Sequence, residues 1–162
     1  MIAIIAEKPS VGQEIARVVG ATEKKDGYIT GNGYMVTWAL GHLVSLALPG
    51  TYGYTRTTAE DLPMLPEPFR LVERQIRTDR GMVTDIAAGR QLKVIDGVFS
   101  ECDSIIVATD AGREGELIFR WIYSYLGCTK PFKRLWISSL TDEAIREGMA
   151  SLKEGTGYDS LY

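Results

Sequence analysis

The sequence has 162 residues, 45% hydrophobic and 24% charged, with 18 Lys and Arg against 21 Asp and Glu for a formal net charge of −3. That is enough apolar side chain for the core of one ordinary domain, and it excludes disordered and low-complexity architectures. The acidic balance also argues against a freestanding nucleic-acid binder driven by charge alone, because such proteins carry a basic stripe that displaces counterions from phosphate.

In chain order, Met1 to Ala6 (MIAIIA) predicts a buried strand, being apolar, rich in β-branched residues and too short for a helix. A helix start follows, with Ser10 as N-cap and Gln13 completing a capping box ahead of the stripe Ile15, Val18 and Val19. Glu7 and Lys8 then lie in the turn between strand and helix. Gly27 to Ala39 reads as two strands around the turn Gly31-Asn32-Gly33. Gly41 to Pro68, rich in Gly, Pro and Thr, reads as a long surface excursion, and Phe69 to Ile76 alternates like an exposed strand. From Asp79 to about Val98 the spacing of Val83, Ile86, Ala87 and Val94 predicts one helical face. The basic residues of this region, Arg70, Arg74, Arg77, Arg80, Arg90 and Lys93, read as a solvated face.

Ser104 to Thr109 is a second buried strand, Asp110 to Gly115 the turn at its end, and Glu116 to Leu126 an apolar helix. Phe132 to Ile137 gives a third strand, and Thr141 caps a helix running through Leu152. Strands alternating with helices imply right-handed crossovers and a mainly parallel sheet, whose ligands bind beyond the carboxyl ends of the strands. Glu7 and Asp110 both fall there.

The segment Ala108 to Glu116 (ATDAGREGE) sets Asp110, Glu114 and Glu116 in and just past one such turn. Carboxylates there suit a hard cation such as Mg²⁺, which takes one or two of them plus waters and phosphate oxygens. Acids in a first helical turn also complement the helix dipole with no ligand involved. Glu7, a second acid at a parallel strand's end, tips the balance towards a metal platform.

Four motifs now stand in order: Glu7-Lys8-Pro9-Ser10, Trp38-Ala-Leu-Gly41-His42-Leu43, Ala108-Thr-Asp110-Ala-Gly-Arg113-Glu114-Gly-Glu116 and Trp136-Ile-Ser-Ser-Leu-Thr141. Together they resemble the type IA DNA topoisomerases, topoisomerase III branch, in their N-terminal Toprim domain. The resemblance implies an α/β, Rossmann-like Toprim fold: a mainly parallel central sheet flanked by helices, with an inserted β-hairpin and long loop. It implies an enzyme that cleaves single-stranded DNA through a 5′-phosphotyrosine link, passes a strand and reseals the break, relaxing or decatenating DNA. Glu7 matches the glutamate that gives a proton to the leaving 3′ oxygen, Lys8 a lysine that steadies the scissile phosphate, and Arg113 an arginine near that phosphate. Asp110 and Glu114 match the outer acids of the family's Asp-x-Asp-x-Glu metal motif, which with Glu7 implies Mg²⁺; Glu116 has the weaker claim and serves the helix.

Gly112 replaces the middle acid of that motif, which implies weaker Mg²⁺ binding or more reliance on Glu7 and phosphate. None of the tyrosines sits in the family's nucleophile motif, so residues 1–162 are expected to be a single Toprim domain, an N-terminal fragment inactive alone that meets single-stranded DNA in the longer enzyme. A standalone Toprim-type nuclease or primase-like protein is the alternative enzyme, although the missing middle acid counts against it. A nucleotide- or phosphate-binding module ranks last, since three carboxylates repel an anion unless a cation comes first.

The remaining chemistry-bearing residues have structural readings. His42, the one histidine, reads as a packing or hydrogen-bonding residue, and Trp38, Trp121 and Trp136 as core fillers in strands or a helix. Cys102 and Cys128 lack CxxC spacing and are too few for a disulfide framework, so a reducing compartment and no structural zinc are expected. The start MIAIIAEKPS lacks a basic lead and no apolar run approaches a membrane span, giving a cytoplasmic expectation with no membrane partner.

Overall fold

The computed structural model describes residues 1–54 and 58–162, so part of the expected excursion, residues 55–57, lies outside the described residues. The strands are β1 (Ile2–Ala6), β2 (Glu23–Lys25), β3 (Tyr28–Gly31), β4 (Tyr34–Trp38), β5 (Val44–Leu46), β6 (Leu71–Glu73), β7 (Gln75–Thr78), β8 (Gly81–Thr84), β9 (Ser104–Ala108), β10 (Phe132–Arg134) and β11 (Lys153–Glu154). The helices are α1 (Pro9–Val19), α2 (Ile86–Glu101), α3 (Arg113–Tyr125) and α4 (Asp142–Ala150), with short 3₁₀ turns at Pro49–Tyr52, Ala59–Asp61 and Gly155–Leu161.

Seven strands form one sheet in the order β11-β10-β9-β1-β4-β3-β2. Its centre is parallel: β1 pairs with β4 on one side and β9 on the other, and β10 continues the parallel run beyond β9. This is the expected mixed α/β fold with a mainly parallel central sheet flanked by helices. Strand β1 is apolar at every position because both its faces are covered. Ala3 and Ile5 meet α2 and α3 through Leu92, Ile95, Phe99 and Phe119, while Ile4 and Ala6 meet α1 and α4 through Val11, Ile15 and Ile145. The alternation of one five-residue strand thus feeds two separate cores.

Local chemistry moved several element boundaries. Helix α1 takes Lys8, not Ser10, as its N-cap, with no side-chain cap bond, because Pro9 occupies the first helical position, where its missing N–H costs nothing. The expected helix from Asp79 is instead the β7–β8 hairpin followed by α2. Gly81, at φ +105, permits the tight turn, and the Asp85 carboxylate caps the helix by accepting from Ala87 N–H at 3.0 Å. Val83 therefore lies in a strand and Ile86 is 87% exposed, while α2 buries Ala88, Leu92, Ile95, Val98 and Phe99. Helix α3 begins at Arg113 rather than Glu116, and β10 ends at Arg134 rather than Ile137. Trp136 consequently lies outside a strand, exposed on one side and stacked on Tyr158 with ring centroids 4.7 Å apart. The hairpin at Gly31-Asn32-Gly33 and the Thr141 cap of α4 stand as expected.

The excursion after Gly41 is also more ordered than its composition suggests. Leu43 and Val44 are buried, and β5 pairs with β6, tying the outgoing and returning ends together. Both cysteines are free, and burial raises the Cys102 thiol above its ordinary range, as suits an unreactive core residue. Among the described residues no helix is long and apolar enough to cross a membrane.

Candidate active site at the carboxyl ends of the parallel strands

The register of the sheet decides what meets at its carboxyl edge. Ala6 pairs with both Trp38 and Ala108, so the chain leaves β1, β4 and β9 at the same height. Glu7, the loop from Ala39 to Leu43, and Thr109-Asp110 follow directly. They are joined by two bonds: Gly41 N–H donates to the Glu7 carbonyl at 3.4 Å, and Asp110 N–H donates to Glu7 Oε2 at 3.0 Å. Two of the expected site residues, 103 positions apart in sequence, are therefore in direct contact.

The turn after β9 is fixed from beneath. Arg134, 1% exposed, donates from Nη1 to the Val107 carbonyl and to Thr109 Oγ1, and from Nη2 to the Asp110 carbonyl at 2.7 Å. The Thr109 hydroxyl donates in turn to the Gly115 carbonyl at 2.7 Å. Gly115 must be glycine here, since a Cβ would lie 2.0 Å from the Asp110 carbonyl oxygen. Burial pulls the Arg134 guanidinium below the usual arginine value, opposed by the charge of Glu116.

Glu116 is not on the same side of the turn as Asp110 and Glu114. It is 1% exposed, accepts from Arg120 Nε at 2.7 Å, and faces Arg134 Nε across 3.2 Å without hydrogen-bond alignment, so that contact is ionic. Its place is structural, in keeping with its weaker claim as a ligand. Glu114, in the first turn of α3, is exposed and its Oε1 sits 2.5 Å from His42 Nε2. His42 meets Trp121 edge-on at 5.8 Å, and its carbonyl accepts from Arg74 Nη1 at 3.2 Å.

Lys8 and Asp110 line an open cleft of about 520 Å³ between α1 and the segment after β10, with Ser138 and Ser139 on the far wall. Arg113 is exposed at the first position of α3. The expected site residues thus share one edge, although Glu7, Asp110 and Glu114 do not form a ready cage. Among the described residues no three His, Cys, Asp or Glu side chains stand together as a metal group. The donor chemistry nevertheless suits Mg²⁺: all three offer hard carboxylate oxygens, and an octahedral ion keeps most of its waters.

Arg134 and Arg74 escaped the sequence reading. Arg134 could have been found as a charge at an inward strand position, two residues after the half-buried Phe132. Arg74, grouped above with solvated basic residues, is in fact clamped by Asp85 and donates to the carbonyls of Leu40 and His42.

Residues 2–140 match the family model described as Toprim domain. The chain is 49% identical over 164 aligned residues to DNA topoisomerase 3 of Bacillus thuringiensis, covering 98% of this chain and 21% of that protein. It is 46% identical to DNA topoisomerase 3 of Bacillus licheniformis, again over 98% of this chain and 21% of the relative. It spans about a fifth of the length of these curated relatives. Among solved structures, full-length topoisomerase I from Thermotoga maritima superposes with a TM-score of 0.56 at 19% identity, over 94% of this chain and 21% of that one, a likeness of fold. Matched by the family model over most of its length, the chain belongs to the Toprim domain family.

Proposed function

We propose that this chain is the acid-bearing, cation-binding domain of a longer strand-passage enzyme of the DNA topoisomerase 3 kind, acting on single-stranded DNA. The observation that carries the reading is the Glu7–Asp110 contact at the carboxyl edge of adjacent parallel strands, beside a cleft that Lys8 enters. In this proposal Glu7 holds the proton delivered to the leaving 3′ oxygen and recovers it on resealing. Lys8, at the start of α1, and Arg113, at the start of α3, face the phosphate and offset its developing charge. Asp110 and Glu114, with Glu7, are the groups that would hold Mg²⁺, which supplies further charge neutralisation when bound. The attacking tyrosine belongs to polypeptide outside these 162 residues, and the setting is the cytoplasm.

The test begins with the chain itself. Incubated with supercoiled or single-stranded DNA and Mg²⁺, it is expected to give neither relaxed product nor covalent adduct. Joined to the rest of such an enzyme, Glu7→Ala or Lys8→Ala is expected to lower cleavage and resealing by about 10²–10⁴-fold. Robust metal-dependent nicking by the chain alone would favour a nuclease that activates water, and near-normal relaxation by either variant would remove that residue from the mechanism.

A further inference from the structure

Glu114 differs from the other two acids of the proposed cation site in being held by a side chain from elsewhere in the fold. A carboxylate only accepts hydrogen bonds, so the 2.5 Å contact makes His42 Nε2 the protonated ring nitrogen. The two partners are unequally anchored. His42 packs edge-on against Trp121, and its carbonyl is tied to Arg74, which Asp85 clamps in turn. The Glu114 side chain is 72% exposed, and nothing else in the described structure bonds its carboxylate. The better-anchored partner, His42, therefore sets where the exposed carboxylate points. Among the described residues no group of three metal-binding side chains assembles.

We propose that His42 is a positioning residue that draws Glu114 aside, so that a divalent cation at Asp110 recruits Glu114 only by breaking the His42 contact. The inference rests on reading Asp110 and Glu114 as cation ligands. The bonded oxygen is Oε1; in this proposal the ion turns the whole carboxylate away from the imidazole, so its uptake replaces a hydrogen bond to a charged group, which lowers its affinity by about tenfold. The resting domain then holds Mg²⁺ poorly, and phosphate oxygens arriving with nucleic acid supply the missing ligands. Ion binding and nucleic-acid binding become linked through the position of one side chain.

The sequence contains a single histidine, so the imidazole Hε1 NMR signal belongs to His42 alone. Mg²⁺ is titrated into the 162-residue chain and followed both by that signal and by calorimetry. The signal is expected to move, as the ion binds, to the position it holds in metal-free Glu114→Ala. His42→Ala is expected to bind Mg²⁺ about tenfold more tightly than the parent, whereas His42→Gln, which still presents an N–H donor, stays near it. Saturation with Mg²⁺ while the His42 signal stands still would overturn the proposal. So would a His42→Ala variant that binds no more tightly, and weaker binding would mean that the imidazole orients Glu114 towards the ion instead. Should His42→Ala fail to fold, the signal of the parent still decides. Asp110→Ala separates this inference from the reading beneath it: binding that Asp110→Ala leaves unweakened, or no binding by any variant, ends the cation-site reading and the His42 proposal with it.

Discussion

Two strand-end loops border the site, and one arginine holds each of them. After β9, Arg134 donates to the carbonyls of Val107 and Asp110 and is charge-paired with Glu116; after β4, Arg74 donates to the carbonyls of Leu40 and His42 and is charge-paired with Asp85. The device is the same but the depth is not: the Arg134 side chain is 1% exposed and that of Arg74 is 30% exposed. A buried ion pair is costly to break because the survivor stays desolvated, whereas a shallower one is rescued by water. The β9 turn, which carries Asp110, is therefore the more deeply fixed of the two, and the β4 loop, which carries His42, is held from nearer the surface.

Breaking the deep arginine is expected to have the largest effect. Arg134→Leu leaves Glu116 with one cation in place of two and frees the Asp110 carbonyl, at a cost of about 3–5 kcal/mol in urea unfolding. Arg134→Lys keeps a charge but not the planar fork and is expected to recover only part of that loss. An Arg134→Leu variant as stable as the parent would show that the two loops do not differ in kind.

Breaking the shallow arginine is expected to act locally. Arg74→Ala should speed amide exchange in β7 and β8 and broaden the His42 signal while leaving the amides of β1 and β9 protected. Equal loss of protection in the central strands would place Arg74 in the core framework. Acid provides a gentler version of the same cut. The Arg74 guanidinium bonded to Asp85 holds that carboxyl below the usual aspartate range. The folded value is depressed, so the stabilisation is complete above the ordinary unfolded value of about 4 and is lost as pH falls through the folded one. The side-chain signals of Asp85 are expected to hold steady through that ordinary value and to move only below it.

The smallest effect is expected at Gly112. Its φ of 165° is extended backbone that any residue adopts, and a Cβ there would meet nothing within 4 Å. Gly112→Asp should therefore fold, and as the N-cap of α3 an aspartate adds a few tenths of a kcal/mol by accepting from the first helical turn. Tighter Mg²⁺ binding in a calorimetric titration is the expected second effect. A variant that gains stability but no Mg²⁺ affinity would show that position 112 caps the helix without reaching the ion.

The parts of this molecule legible in its sequence were those where burial leaves one reading. MIAIIA and SIIVA can only be strands covered on both faces, and from their ends the shared position of Glu7 and Asp110 follows. Residues 79–84, the second half of the β7–β8 hairpin, read as helix because Val83, Ile86 and Ala87 happen to fall at helical spacing, whereas the determinants are a glycine at the turn and an aspartate at the cap. The two arginines were hidden for a different reason. A basic residue in or beside a strand looks solvated unless its partners are known, and Glu116 and Asp85 stand 18 and 11 residues from Arg134 and Arg74. The contact between His42 and Glu114 spans 72 residues and carries no local signature at all.

The central position of β1 has a consequence for the order in which the molecule comes together. Its first neighbour, β4, begins 32 residues on from Ile2, but its second, β9, begins 102 residues on, so the second pairing must close a much longer loop of chain. Closing loops of that length before the reward of pairing slows folding. Glu7 is synthesised among the first residues and waits for the other half of its acid pair until a further hundred have been added. The edge that joins Glu7 to Asp110 comes into being only with the finished sheet, and a chain with β9 undocked lacks that contact.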